Sequence, residues 1–228
     1  PEREWLLPAP MFNVVNGGAH ADSGLDVQEF MVVPVGLRSF REALRAGSEI
    51  YHVLKKGLKE KGYVVSVGDE GGFAPHIKLH ADVLSLLERA VRQAGYAGRA
   101  RISLDVAASE FYGKAGAKGV YRFEDRNRSS SEMNRTYRSW IQRFKLLSIE
   151  DPLAEDDWSG WTALTAAVGR RLRIVGDDLF VTNPERLDRG IRERAGNSIL
   201  IKLNQIGTVS ETVETVLKAR GAGFSSII

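Results

Sequence analysis

Ile102-Ser103-Leu104-Asp105, Leu147-Ser148-Ile149-Glu150 and Ile174-Val175-Gly176-Asp177 decide the fold, because in each a short apolar run ends on a carboxylate. The acids are 45 and 27 positions apart (105 to 150, then 150 to 177), which suits one strand-plus-helix unit each in a barrel that averages roughly 30 residues per unit. Apolar runs of this length, nearly unbroken, fit strands of a parallel sheet covered by helices. Outward from them the same rhythm continues. Strand-like runs are Met11 to Val15, Phe30 to Val33, Arg101 to Val106, Leu146 to Ile149, Leu172 to Val175, Ser198 to Leu203 and Phe224 to Ile228. Helix-period stretches lie between them at Phe40 to Lys61, Ala81 to Ala94, Ser131 to Phe144, Trp158 to Val168, Pro184 to Ala195 and Ser210 to Arg220.

Local signals agree with these boundaries. Asn183 before Pro184 is an N-cap followed by proline at the first helical position. Ser210 is a candidate N-cap, and Gly196 and Gly221 stand where helices should stop. The first two strands are joined by a glycine-containing loop without helical periodicity, so they are expected to pair directly. From there the order is strand then helix, which predicts an α/β fold. A doubly wound open sheet is the alternative to a (β/α)8 barrel; a polar functional residue at the carboxyl end of nearly every strand favours the barrel. Gly113 to Ser131, rich in Gly, Lys, Arg and Ser, reads as an exposed excursion.

Composition removes several classes of function. Of 228 residues, 43% are hydrophobic and 27% charged, the range of an ordinary globular domain with one substantial core. Thirty-two Lys and Arg against 29 Asp and Glu leave a net charge of +3, too weak and too scattered for a nucleic-acid footprint. No cysteine is present, which rules out disulfides, thiolate metal sites and cysteine nucleophiles. No apolar run approaches the roughly 20 residues that cross a bilayer. A soluble, intracellular protein is expected.

Three carboxylates converging on one barrel mouth repel one another unless a cation neutralises them. An all-oxygen set suits a hard divalent ion, magnesium first. In Ser198-Ile-Leu-Ile-Lys202-Leu-Asn204 a lysine interrupts the next apolar strand. Strand alternation would put Ser198, Leu200, Lys202 and Asn204 on one face. An inward lysine must be paired, and burial beside cations would lower its pKa toward that of a general base; a purely structural bridge between the carboxylates is the other reading. Glycines around Glu70, in Gly68-Asp-Glu70-Gly-Gly72, would let the backbone turn sharply and aim one carboxyl group into a cleft. His76 and His80 have metal-binding spacing but fall in an expected loop, and both are read as exposed.

Taken together, these motifs resemble the enolase family. The matching segments are Asn16-Gly-Gly-Ala-His20-Ala, Gln28-Glu29-Phe30-Met, Val67-Gly-Asp-Glu70-Gly-Gly, Leu104-Asp105-Val-Ala-Ala-Ser-Glu110-Phe, Ser148-Ile-Glu150-Asp-Pro, Gly176-Asp177-Asp-Leu-Phe-Val-Thr-Asn and Ile201-Lys202-Leu-Asn-Gln-Ile-Gly. They run in the family's order from Pro10 to the end of the chain. The resemblance implies magnesium-dependent, reversible dehydration of 2-phosphoglycerate to phosphoenolpyruvate. By that pattern Asp105, Glu150 and Asp177 hold the metal and Lys202 removes the proton next to the substrate carboxylate. Glu70, supported by Glu29, assists loss of the hydroxyl, and His20 and Gln28 line the substrate site. A homodimer, a cytoplasmic location and a secondary presence at the cell surface follow from the resemblance alone.

Residues 1–228 would then be part of the carboxyl-terminal catalytic barrel, an incomplete (β/α)8 barrel of about seven strands. The resemblance places an amino-terminal capping domain and the last barrel units outside it. The chain opens on Pro1 and closes at Ser225-Ser-Ile-Ile228, where family members continue into a phosphate-gripping Ser-His-Arg-Ser segment. These residues by themselves are expected to be unstable or inactive. Two rival readings are a related barrel that dehydrates acid sugars and a binding or scaffold protein that has lost catalysis. The Gly-Asp-Glu-Gly-Gly and Gln-Glu-Phe segments favour enolase over the first, and the intact acids and lysine count against the second.

Overall fold

The computed structural model describes residues 7–18, 21, 23–113 and 119–228. The chain forms two compact units, one of Pro1–Leu25 with Glu29–Ser103 and one of Asp26–Gln28 with Leu104–Ile228.

In the first unit β1 (Phe12–Asn16) and β2 (Glu29–Val33) pair antiparallel, with Phe12 opposite Val32 and Asn16 opposite Glu29. The expected direct pairing is therefore present, and a register irregularity between Asn13 and Val15 bends it. Two helices follow, α1 (Phe40–Glu60) and α2 (His80–Gln93). Ser39 caps α1 by accepting the Glu42 backbone N–H at 3.3 Å. Ile50, Leu54 and Leu58 of α1, Leu84 and Leu87 of α2 and Phe30 and Val32 of β2 are buried, so period-2 and period-3.6 apolar faces meet in one core. His80 corrects the sequence reading. It is fully buried as the first residue of α2 and stacks on Phe30 with ring centroids 6.2 Å apart, whereas His76 is exposed as expected. The helix starts one residue earlier than its apolar periodicity indicated.

β3 (Arg101–Asp105) contributes its last two residues to the second unit. There the strands follow the order β3, β6 (Leu146–Glu150), β7 (Arg173–Gly176), β8 (Ser198–Leu200), β9 (Ser225–Ile227). The pairs from β6 to β9 are parallel. Between strands run α3 (Ser130–Arg143), α4 (Trp158–Val168), α5 (Pro184–Glu193), the short α6 (Leu203–Ile206) and α7 (Val209–Gly221). This is the α/β fold expected, an incomplete barrel whose strand series is not closed among the described residues.

Three local readings differ from the structure. The excursion at 113–131 contains a hairpin, β4 (Val120–Phe123) paired antiparallel with β5 (Arg126–Ser129). Its basic, Ser-rich composition concealed a period-2 pair, since Tyr121 and Phe123 are both fully buried. Glu124 and Asp125 turn it with positive φ of 50° and 58°, the conformation a two-residue hairpin turn requires. Second, α7 begins at Val209 with Thr208 as N-cap, not at Ser210; the Thr208 hydroxyl accepts the Glu211 N–H at 3.2 Å. Third, β8 ends at Leu200, so Lys202 and Asn204 are not strand residues sharing its face. Lys202 is the N-cap position of α6.

The core of the second unit is aromatic. Trp161 is fully buried and donates its indole N–H to the Ala154 carbonyl at 3.1 Å. Tyr137 and Trp140 meet edge to face at 5.7 Å. The Arg189 guanidinium lies 4.0 Å over the buried ring of Trp158. Asn183 caps α5 through the Glu185 and Arg186 N–H groups at 2.8 and 3.1 Å, as the Asn-Pro signal predicted.

Candidate active site and metal centre

Asp105 ends β3, Glu150 ends β6, Asp177 follows β7 and Lys202 stands two residues past β8. Neighbouring strands of the second unit thus deliver three acids and an amine at their carboxyl ends, where barrel active sites assemble. Asp105, Glu150 and Asp177 are 7%, 6% and 8% exposed. The Lys202 amine donates to Asp177 Oδ2 at 2.6 Å, with 45% of the lysine side chain exposed. The sequence therefore predicted the pairing correctly and the depth of burial incorrectly. Burial opposes the charge on Lys202, but the hydrogen bond and charge of Asp177, followed by Glu150 and Asp105, outweigh it and raise its pKa. The expected lowering rested on neighbouring cations; the neighbours that act on this amine are carboxylates.

Other donors fix the acids. Gln28 Nε2 donates to Asp105 Oδ2 at 3.2 Å and the Ala107 N–H to Oδ1 at 3.1 Å. Gln205 Nε2 donates to Asp177 Oδ1 at 2.7 Å. Asp151, 3% exposed, accepts the backbone N–H groups of Asp177 at 3.1 Å and Asp178 at 2.7 Å. Burial pushes the Asp105 carboxyl up to about 7, against the Ala107 N–H that lowers it, and the charge of Asp177 adds to the rise. Burial likewise raises Asp151 well above the ordinary range, with the charge of Asp105 next in effect, and raises Asp178 with the charge of Asp177 next.

These shifts test whether the residues present suit a metal. Several carboxylates crowded in a low-dielectric pocket resist ionising together, and the single ammonium, hydrogen-bonded to Asp177, offsets only part of their mutual repulsion. A divalent cation with oxygen ligands would relieve the remainder. Among the described residues, oxygen atoms of Asp151, Asp177 and Asp178 lie within 4.8 Å of one another, a group able to hold a metal ion. Sequence reasoning named only Asp177 of these three. Of the adjacent Asp177 and Asp178 the family pattern assigns the metal to the first; the signal passed over is the second acid of Glu150-Asp151. Both Asp151 oxygens accept backbone N–H groups, so this acid also holds the Asp177 turn in place. Thr182 and Gln205 were missed as well, since nothing in their spacing marks them as neighbours of the lysine.

Glu29 and Glu70 belong to the first unit. Glu29 opens β2 opposite Asn16. Glu70 sits in a turn closed by Gly68 N–H to the Gly72 carbonyl at 2.8 Å, and its Oε2 accepts from Asn13 Nδ2 at 3.0 Å. Gly71 has φ +84°, and a Cβ on Gly72 would lie 2.6 Å from Asn16 Oδ1, so both glycines are required by the turn. The Tyr51 hydroxyl donates to the Gly71 carbonyl at 2.9 Å and secures it. His20, expected to line the substrate site, lies outside the described residues.

An α/β domain that brings carboxylates and a lysine together at consecutive strand ends belongs to the class of active-site barrels built to support a divalent cation. Comparison with known proteins narrows the class. Residues 4–228 match the family described as Enolase, C-terminal TIM barrel domain. The chain belongs to that family. It is 54% identical over 227 residues to the enolase of Elusimicrobium minutum (strain Pei191), covering all of this chain and 52% of that protein. It is 51% identical over 225 residues to the enolase of Beutenbergia cavernae, covering 98% of this chain and 52% of that protein. The chain spans about half the length of these relatives.

Proposed function

We propose that residues 1–228 are part of the catalytic barrel of an enolase, which interconverts 2-phospho-D-glycerate and phosphoenolpyruvate. The observation that carries this reading is Lys202, held 2.6 Å from Asp177 beside the strand-end acids Asp105 and Glu150. The relatives named as enolases support it at 54% and 51% identity.

Asp105, Glu150 and Asp177 would hold magnesium, which when bound supplies positive charge against the second negative charge that develops on the substrate carboxylate. Lys202 takes the proton alpha to that carboxylate. The ammonium stabilised by Asp177 corresponds to the lysine once it has accepted that proton. Glu70, steadied by Asn13, gives a proton to the departing hydroxyl, with Glu29 supporting it. Gln28, through its bond to Asp105, ties the substrate-lining segment to a metal-holding acid; His20 completes the substrate contacts. An amino-terminal capping domain and the final barrel units complete the enzyme, which acts in the cytoplasm as a homodimer.

The test is to compare Lys202→Ala with wild type in the complete enzyme, following magnesium-dependent phosphoenolpyruvate formation by absorbance. Loss of a general base lowers kcat by about 10²- to 10⁴-fold. Equal rates would remove Lys202 from the mechanism.

A further inference from the structure

A closed circuit of hydrogen bonds surrounds the base. The Lys202 backbone N–H donates to Thr182 Oγ1 at 2.8 Å, Thr182 Oγ1 donates to Gln205 Oε1 at 3.0 Å, and Gln205 Nε2 donates to Asp177 Oδ1 at 2.7 Å. Asp177 Oδ2 returns to the Lys202 amine at 2.6 Å. The order of donors is forced. The Asp177 carboxylate that pairs with the Lys202 ammonium only accepts, so the Gln205 nitrogen faces it; the amide oxygen is left to accept the Thr182 proton, while the Thr182 oxygen accepts the Lys202 backbone N–H.

Thr182 occupies this position at a cost. It is fully buried, and both it and Val181 have positive φ, 55° and 44°. Left-handed backbone is unfavourable for β-branched residues. Its carbonyl is held by the Thr215 hydroxyl at 2.9 Å, and Val181 N–H is held by the Asp177 carbonyl at 2.7 Å. Glycine or asparagine would adopt the turn more easily, but neither would present a hydroxyl to Lys202 and Gln205 together.

We infer that Thr182 and Gln205 are positioning residues for the proton-transfer step: Thr182 fixes the backbone from which Lys202 projects, and Gln205 fixes the plane of the Asp177 carboxylate that aims the amine. Neither touches the reacting atoms. The inference rests on the proposed lyase reading of the same site.

The experiment uses the complete enzyme with Thr182→Val, Thr182→Ser, Gln205→Met and Gln205→Glu. Each is measured for kcat, KM, thermal midpoint and the primary deuterium isotope effect with substrate deuterated at the carbon that loses its proton. Thr182→Val and Gln205→Met should lower kcat at least tenfold with KM within about threefold, and should raise the isotope effect on kcat because proton abstraction now limits turnover. Thr182→Ser should restore most of the rate. Gln205→Glu, which turns an oxygen toward Asp177, should be at least as impaired as Gln205→Met. The inference is overturned if Thr182→Val and Gln205→Met keep kcat within twofold. It is equally overturned if they lose rate with an unchanged isotope effect, or if Thr182→Ser is as slow as Thr182→Val. Absence of lyase turnover in the wild-type enzyme would instead sink the proposed function itself, so the two failures are distinguishable.

Discussion

Asp151 accepts the backbone N–H of Asp178 at 2.7 Å, while its other oxygen accepts the N–H of Asp177 at 3.1 Å. One acid thereby fastens the turn that carries another, and does so from a buried position where water cannot substitute.

Asp151→Ala should therefore destabilise the protein by about 1–3 kcal/mol, the cost of leaving buried N–H groups unpaired. Relief of repulsion among the neighbouring acids works the other way but does not restore a partner to either donor. Urea unfolding of the variant beside wild type measures the difference; a midpoint equal to wild type, or higher, would contradict this role.

Stability should depend on pH in a direction set by the raised carboxyls. Burial pushes the Asp105 carboxyl up to about 7 in the folded protein, against an ordinary value of 3.8. Between those values the folded chain holds more protons than the unfolded one, so this contribution is full below about 4 and is lost as pH rises through about 7. With a chelator present, the thermal midpoint should rise as pH is lowered from 7.5 to 5.5. Excess magnesium at pH 7.5 should raise the midpoint and flatten that slope, because the cation takes over the neutralising role of the protons. A chelated protein whose midpoint falls over the same interval, with no response to magnesium, would refute the account.

Gly176 is the residue before Asp177, and a Cβ there would lie 2.5 Å from the Phe180 ring and 3.1 Å from Leu179 Cβ. Phe180 is fully buried and cannot swing aside. Gly176→Ala should cost about 1–3 kcal/mol through overpacking. It should also reduce kcat in the complete enzyme beyond any loss of folded protein, because the strain falls next to Asp177. Calorimetry together with kcat measured per folded molecule would check both parts; a variant as active and as stable as wild type would show that the ring is free to move.

The main architecture was legible because it depends on patterns a sequence carries openly. Nearly unbroken apolar runs ending on Asp105, Glu150 and Asp177 mark strands with polar carboxyl ends, and Asn183-Pro184 marks the start of α5. The errors share a physical origin: local composition was read where tertiary contacts decide. Tyr121 and Phe123 form a buried strand within a basic, Ser-rich stretch because their partners lie elsewhere in the chain, with the Tyr121 hydroxyl donating to Asp157 at 2.7 Å. His80 is buried by its stacking on Phe30, 50 residues earlier. At the site, strand alternation was extended two residues too far, so Lys202 was placed inside when it stands at the mouth. Thr182 and Gln205 could not be read at all, since their neighbourhood exists only once Val181 and Thr182 have turned left-handed.

The buried indoles have a practical consequence. Of the four tryptophans in the chain, Trp140, Trp158 and Trp161 all lie in the second unit and are at most 6% exposed. Intrinsic fluorescence is consequently an optical reporter weighted toward the unit that carries Lys202. A tryptophan introduced near Tyr51 would add a reporter close to the Glu70 turn in the other unit.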